Sequence, residues 1–165
     1  MKNTAEYRAL ESRDQDFLFD MLFEAIYVPP GSPEVERSIL ELPEIKKYAA
    51  SWGDLKGDRG ILLSLEENPA GAVWLRFFRK EEQGYGYVAD NIPELSMALL
   101  PEYRGQGYGT ELLRRLLKDL PQEIQSISLS VDPGNPALHL YKKFGFNICG
   151  EWETSITMLF NRSLK

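Results

Sequence analysis

The run from Leu99 to Thr110, Leu-Leu-Pro-Glu-Tyr-Arg-Gly-Gln-Gly-Tyr-Gly-Thr, leads straight into a stretch with leucines at Leu112, Leu113, Leu116, Leu117 and Leu120. An extended segment stops at Pro101, an Arg-x-x-Gly-x-Gly turn follows, and an amphipathic helix opens from the turn. The N-terminus of a helix carries unpaired N–H groups and partial positive charge, and glycines let an anion approach the backbone closely. Strand end, glycine turn and helix start are thereby brought to one place. The segment reads as a pyrophosphate cradle in an α/β chain.

Two standard phosphate loops do not fit it. A Walker loop needs a lysine after its last glycine, and none follows here; Gly105-x-Gly107-x-Gly109 also misses the dinucleotide spacing. The run instead resembles motif A of the GCN5-related N-acetyltransferases (GNAT), Gln/Arg-x-x-Gly-x-Gly/Ala, matched by Arg104, Gly107 and Gly109. A second segment supports the resemblance. Asn135-Pro-Ala137-Leu-His-Leu-Tyr141-Lys-Lys-Phe-Gly145-Phe146 is similar to the family's Asn-x-x-Ala/Ser-x-x-x-Tyr-x-x-x-Gly-Phe signature, with its alanine one position early. It starts 26 residues after Gly109, the order the family uses.

The resemblance runs from about Tyr7 to Phe160, with its specific residues between Glu94 and Phe146. It implies the α/β (α+β) fold of the acyl-CoA N-acyltransferases, a mixed central sheet flanked by helices, in which the fourth and fifth strands splay apart to admit the pantetheine arm. It implies acetyl-CoA as co-substrate, its pyrophosphate held by Arg104, Gly105, Gln106, Gly107, Tyr108, Gly109 and Thr110. Leu99 takes the strand position whose backbone N–H faces the thioester carbonyl, and Asn135 contacts the pantetheine arm while capping its own helix. Tyr141 corresponds to the general acid that protonates the departing thiolate. Glu94 stands where many relatives carry a glutamate base, with Asp90, Asp132 or a bound water as alternatives. Glu102, in the loop itself, is expected to face solvent.

Local sequence places the elements. Tyr7 to Leu10 suits a first strand, and Asp14 to Tyr27 a helix with Phe17, Leu18, Met21, Leu22, Ala25 and Ile26 on one side. Ser32 and Pro33 suggest a second helix start, and Pro43 a third helix ending near Gly53. Ile61 to Leu65 and Ala72 to Phe78 read as strands, with Asn68-Pro69-Ala70-Gly71 as the turn between them. Leu95 to Leu100 feeds the glycine loop. Ile127, Leu129 and Val131 alternate with Ser126, Ser128 and Ser130, which predicts a strand with the serines on its wetter face. Asn135 and Pro136 open a helix that Gly145 ends, and Phe146 to Gly150 pairs with Ser155 to Phe160 in a hairpin. Trp52, Trp74 and Trp152 are expected in the core, Cys149 is expected to pack in its strand, and His139 is expected on a helix surface or in packing.

At 165 residues and 43% hydrophobic, the chain suits one domain spanning residues 1–165. With no long apolar run, leader or lipidation signal, a cytoplasmic protein away from membranes is expected. One cysteine cannot form an internal disulfide, and with one histidine it cannot make an ordinary structural zinc site, so no metal is expected. The net charge of -6 argues against a nucleic-acid partner and suits a cationic one. Asp54, Asp58, Asp90 and Glu94 are the acidic residues expected around the acceptor's way in.

Together these readings predict an N-acetyltransferase moving an acetyl group from acetyl-CoA to a primary amine by direct attack in a ternary complex, since no activated cysteine or serine nucleophile stands out. The acceptor is a small-molecule amine or a peptide or protein amino group. A homodimer is one expected assembly. The alternative from another class is a catalytically inert acyl-CoA-binding regulatory module.

Overall fold

The computed structural model describes residues 4–162. Its elements are β1 (Ala5–Ala9), α1 (Gln15–Ala25), α2 (Pro43–Lys46), β2 (Arg59–Leu65), β3 (Asn68–Arg76), β4 (Glu94–Leu99), α3 (Tyr108–Lys118), β5 (Ser126–Val131), α4 (Ala137–Lys143), β6 (Asn147–Trp152) and β7 (Ser155–Asn161). The seven strands follow the order β1-β2-β3-β4-β5-β7-β6. Parallel pairing of β4 with β5, beside antiparallel pairing of β1 with β2, β2 with β3, β5 with β7 and β6 with β7, makes the sheet mixed, as expected. The chain forms two compact units, one from the described residues up to 26 with 34–76 and 96–120, the other from 27–33, 77–95 and 121 onward.

The first unit carries β1, β2, β3, the end of β4, α1, α2 and α3. The β2–β3 turn is Glu66-Glu67, both at positive φ (51° and 68°), and Leu65 pairs with Asn68. The Asn68-Pro69-Ala70-Gly71 segment expected as the turn is therefore strand. Gly71 answers to packing instead, because a Cβ there would lie 2.4 Å from a Leu99 methyl.

α1 buries Leu18, Met21 and Leu22, and α3 buries Leu112, Leu113 and Leu116. The helix expected at Ser32 does not form. Residues 31–36 offer only Val35 for burial, and a 3-10 turn at Arg37–Glu41 follows instead. α2 is one turn long rather than reaching Gly53. Its continuation is taken over by Arg76, whose Nη1 donates to the carbonyls of Lys47 (2.8 Å) and Ala50 (2.6 Å), and the chain turns at Ser51 and Gly53, both at positive φ.

Arg76 also forms a two-pronged ion pair with Asp58 at 3.0 and 2.8 Å, both side chains 2% exposed, and its guanidinium lies 5.3 Å from the Trp52 ring. Trp74 is buried with its indole N–H on the Tyr48 carbonyl at 2.9 Å. Two tryptophans are core as expected, but Trp152 is 61% exposed. It sits on β6, which ends the sheet and is exposed along most of its length. Cys149, on the same edge strand, is exposed rather than packed.

The second unit is built on β5, between the start of β4 and β7. Ser126 and Ser130 are half-buried, whereas Ser128 is fully buried, which corrects its expected place on a wet face. A central strand has no wet face at its middle. Phe146 anchors this unit, its ring centroid 5.7 Å from Tyr141 and 5.4 Å from Phe160.

Candidate active site

The glycine loop lies in the first unit. After β4 the chain makes a 3-10 turn at Pro101–Tyr103 and passes through Gly105 (φ 73°) and Gly107 (φ 91°), where L side chains are strained. A Cβ at either glycine would meet nothing within 4 Å, so the loop's backbone is bare on that side. Gly107 is the N-cap of α3, and no side chain caps this helix. Its first helical bond runs from the Glu111 N–H to the Gly107 carbonyl at 3.2 Å. The N–H groups of Tyr108, Gly109 and Thr110 precede that bond, so they have no intrahelical acceptor and sit at the positive end of an eleven-residue helix.

Arg104 acts as a brace. Its Nε donates to the Leu99 carbonyl (3.2 Å) and its Nη2 to the Glu24 carboxylate on α1 (2.8 Å). The Gln106 side chain donates to the Glu102 carbonyl at 3.0 Å, and Glu102 itself is exposed, as expected. Leu99 closes β4, half-buried, while the next N–H, of Leu100, donates to Ala70 on β3 at 2.9 Å. Leu99, Arg104 and the glycines thus form one braced corner.

The remaining candidates belong to the second unit. Glu94 opens β4 and is 4% exposed, a buried carboxylate and not a solvated one. Its Oε1 accepts the Gly86 N–H at 2.9 Å. Asp90 accepts the Lys80 N–H at 2.9 Å and the Tyr87 hydroxyl, and this bond pushes the Tyr87 hydroxyl up to about 12. Asp132 accepts the Gly134 N–H at 2.8 Å. Both aspartates therefore carry the turn roles their sequence suggests. Asp58, expected near the acceptor, is committed to Arg76 instead.

Asn135 Oδ1 accepts the Ala137 N–H at 3.0 Å, so it caps α4, which begins at Ala137 after Pro136. Gly145 (φ 97°) ends that helix, with its N–H on Lys142 and the Phe146 N–H on Tyr141. Tyr141 is buried on α4, and among the described residues its hydroxyl has no hydrogen-bond partner. Burial pushes the phenol up from its ordinary value, so it keeps its proton through neutral pH. His139, on the same helix, is exposed.

Sequence reading missed three neighbours of the candidate residues: Glu24, bonded to Arg104, Gly86, bonded to Glu94, and Ser128, the register partner of Glu94. Glu24 is one of several acids on α1, Gly86 sits in a Gly-Tyr-Gly-Tyr run without a known spacing, and Ser128 looked like any alternating serine. Among the described residues, no group of three histidine, cysteine, aspartate or glutamate side chains is placed to hold a metal ion. Nor is any helix there long and apolar enough to cross a membrane.

The profile described as the acetyltransferase (GNAT) family matches residues 20–146, from within α1 through the end of the second motif. The chain belongs to this family. A curated GNAT relative, the [ribosomal protein bS18]-alanine N-acetyltransferase of Haemophilus influenzae, is 39% identical over 106 residues, 59% of this chain and 64% of that protein. The match thus spans a little under two thirds of the relative's length. Solved GNAT structures share the fold. An N-acetyltransferase of Thermoplasma acidophilum in complex with coenzyme A has a TM-score of 0.67 at 22% identity, covering 96% of this chain and 99% of that one. The ribosomal-protein-S18-alanine N-acetyltransferase of Escherichia coli has a TM-score of 0.67 at 19% identity, covering 98% of this chain and 96% of that one.

Proposed function

We propose that this GNAT protein is an N-acetyltransferase, one domain over residues 1–165, that transfers an acetyl group from acetyl-CoA to a primary amine by direct attack in a ternary complex. The observation that carries this reading is the uncapped N-terminus of α3 behind two left-handed glycines with open space beside them. Such a corner suits a pyrophosphate, and the relative from Thermoplasma acidophilum was solved with coenzyme A. Acetyl-CoA, when bound, supplies the acyl group as an activated thioester.

The residues of the chain supply the rest. The amides of residues 105–110 hold the phosphates, with Arg104 bracing their loop, while Leu99 offers its backbone and Asn135 its side chain along the pantetheine arm. A cationic amine must lose a proton before it can attack, and the buried carboxylate of Glu94 takes it, directly or through water. The Tyr141 hydroxyl, which burial keeps protonated, would give its proton to the departing sulfur.

For the acceptor, the 39% relative favours a peptide amino group, since that protein acetylates an alanine of a ribosomal protein. A cytoplasmic enzyme is the reading such a substrate supports. The test is thiol release from acetyl-CoA across peptides with free N-termini, polyamines, amino sugars and amino acids. Turnover with peptides and not with polyamines supports the reading in full. Acetyl-CoA binding without release to any amine leaves the inert acyl-CoA-binding module, and Glu94→Gln turning over like wild type moves the base role elsewhere.

A further inference from the structure

The segment between β3 and β4, residues 77–93, is an excursion far longer than a hairpin needs. It crosses β5 so closely at Gly86 that a Cβ there would lie 2.6 Å from the Leu129 carbonyl carbon and 2.8 Å from the Ser130 nitrogen. No other residue fits at this crossing without moving backbone. The Gly86 N–H is thereby delivered, buried, to Glu94 Oε1 at 2.9 Å.

Opposite Glu94 stands Ser128. The two are register partners on parallel β4 and β5, and the Ser128 N–H donates to the Pro93 carbonyl at 3.0 Å. Partners in a parallel pair project from the same face, on strands about 4.8 Å apart. Ser128 is 0% exposed, and its Oγ has no hydrogen-bond partner among the described residues. A buried hydroxyl without a partner is costly, and a carboxylate on the neighbouring strand is a strong acceptor for it or for a water it holds. Buried polar groups of this kind are commonly satisfied through a bridging water.

We infer that Ser128 is a positioning residue for Glu94, its hydroxyl anchoring a water against the carboxylate while the Gly86 N–H fixes the carboxylate from the other side. The inference rests on the base role proposed for Glu94 above. In the step it serves, an N–H bond of the acceptor ammonium breaks, its electron pair stays on nitrogen, and a new O–H bond forms on Glu94. The water passes the proton by giving one of its own to the carboxylate as it receives the amine's. Neither β5 nor β7 carries a titratable side chain in its strand span; the excursion carries Arg79, Lys80, Glu81, Glu82 and, next to Gly86, Tyr85, with Tyr87 and Asp90 bonded to one another.

The test is Ser128→Ala, which removes only the hydroxyl. The variant is expected to melt at or above the wild-type temperature, to lose about 10-fold in kcat with the KM for acetyl-CoA unchanged, and to displace the pH-rate limb. In protein labelled with carbon-13 at glutamate carboxyls, the Glu94 resonance, assigned by its loss in Glu94→Gln, should titrate at higher pH in Ser128→Ala. An unchanged Glu94 titration overturns the inference whatever the turnover. A moved titration with wild-type kcat also overturns it, because the contact then serves no proton transfer. A moved titration in a protein that acetylates no amine overturns the proposed function and leaves the coupling of Ser128 to Glu94 standing.

Discussion

Arg104, the first residue of the family's glycine motif, turns away from its loop to reach Glu24 on α1, 80 positions earlier, at 2.8 Å. A second bond, from Nε to the Leu99 carbonyl, ties the same guanidinium to the end of β4. The brace is half exposed on its arginine side, so it is worth little as raw stability, about 0.2 to 1 kcal/mol. Its effect should appear where the loop is used. Glu24→Gln is expected to weaken acetyl-CoA binding by up to about 5-fold, with a change in melting temperature near the limit of detection. Calorimetric titration of wild type and variant checks both.

Gly107→Val separates backbone strain from steric clash. At φ 91° with open space around the missing Cβ, the cost is conformational, about 1 to 2 kcal/mol, or roughly 2 to 8 °C for a chain of this size. Relaxing that strain swings the first amides of α3 away from their common direction. The apo protein should still fold cooperatively, and the rise in melting temperature that acetyl-CoA gives the wild type should vanish. A full ligand-induced shift in the variant would remove the pyrophosphate assignment.

The parts of the site that the sequence announces are those with short-range causes. Proline, paired glycines and a leucine period define the β4 corner and α3 locally, and Asn135 and Gly145 bracket α4 in the same way. What stayed hidden depends on partners far along the chain. Beyond α2 the carbonyls of Lys47 and Ala50 are taken by Arg76, some thirty positions on, and Gly71 is a strand residue with the Leu99 side chain in the space of its own. Glu66-Glu67 makes the β2–β3 turn against its own preference, since the register of the two strands leaves no other place for it. The burial of Glu94 has no local sign, because neither Gly86 nor Ser128 is near it in sequence.

Asp58 offers a stability test free of catalysis. With both partners 2% exposed, removing the carboxylate leaves the Arg76 guanidinium buried against Trp52 with only the carbonyls of Lys47 and Ala50 as acceptors. Breaking a buried pair from one side typically costs about 3 to 5 kcal/mol. Asp58→Ala should therefore lose that much in urea unfolding, while Asp54→Ala, at an exposed position, stays within about 0.5 kcal/mol of wild type. An Asp58→Ala protein of wild-type stability and altered acceptor KM would return Asp58 to the acceptor side.

Tyr141→Phe divides packing from proton donation. The ring's edge contact with Phe146 is retained, and the lost hydroxyl has no partner among the described residues, so stability at neutral pH should change by less than about 1 kcal/mol. Turnover should fall by roughly 10- to 1,000-fold with acetyl-CoA affinity unchanged, the range of a lost general acid. Alkaline stability gives an independent check. The folded-state pKa of Tyr141 is raised, so its contribution is fully present below the unfolded value of about 10 and is lost as pH rises toward the folded one. Between about pH 9 and 11 the wild type should therefore lose more melting temperature than Tyr141→Phe, which has nothing there to ionise. Parallel alkaline curves would place the hydroxyl in water, and unchanged turnover would leave Tyr141 as a packing residue beside Phe146.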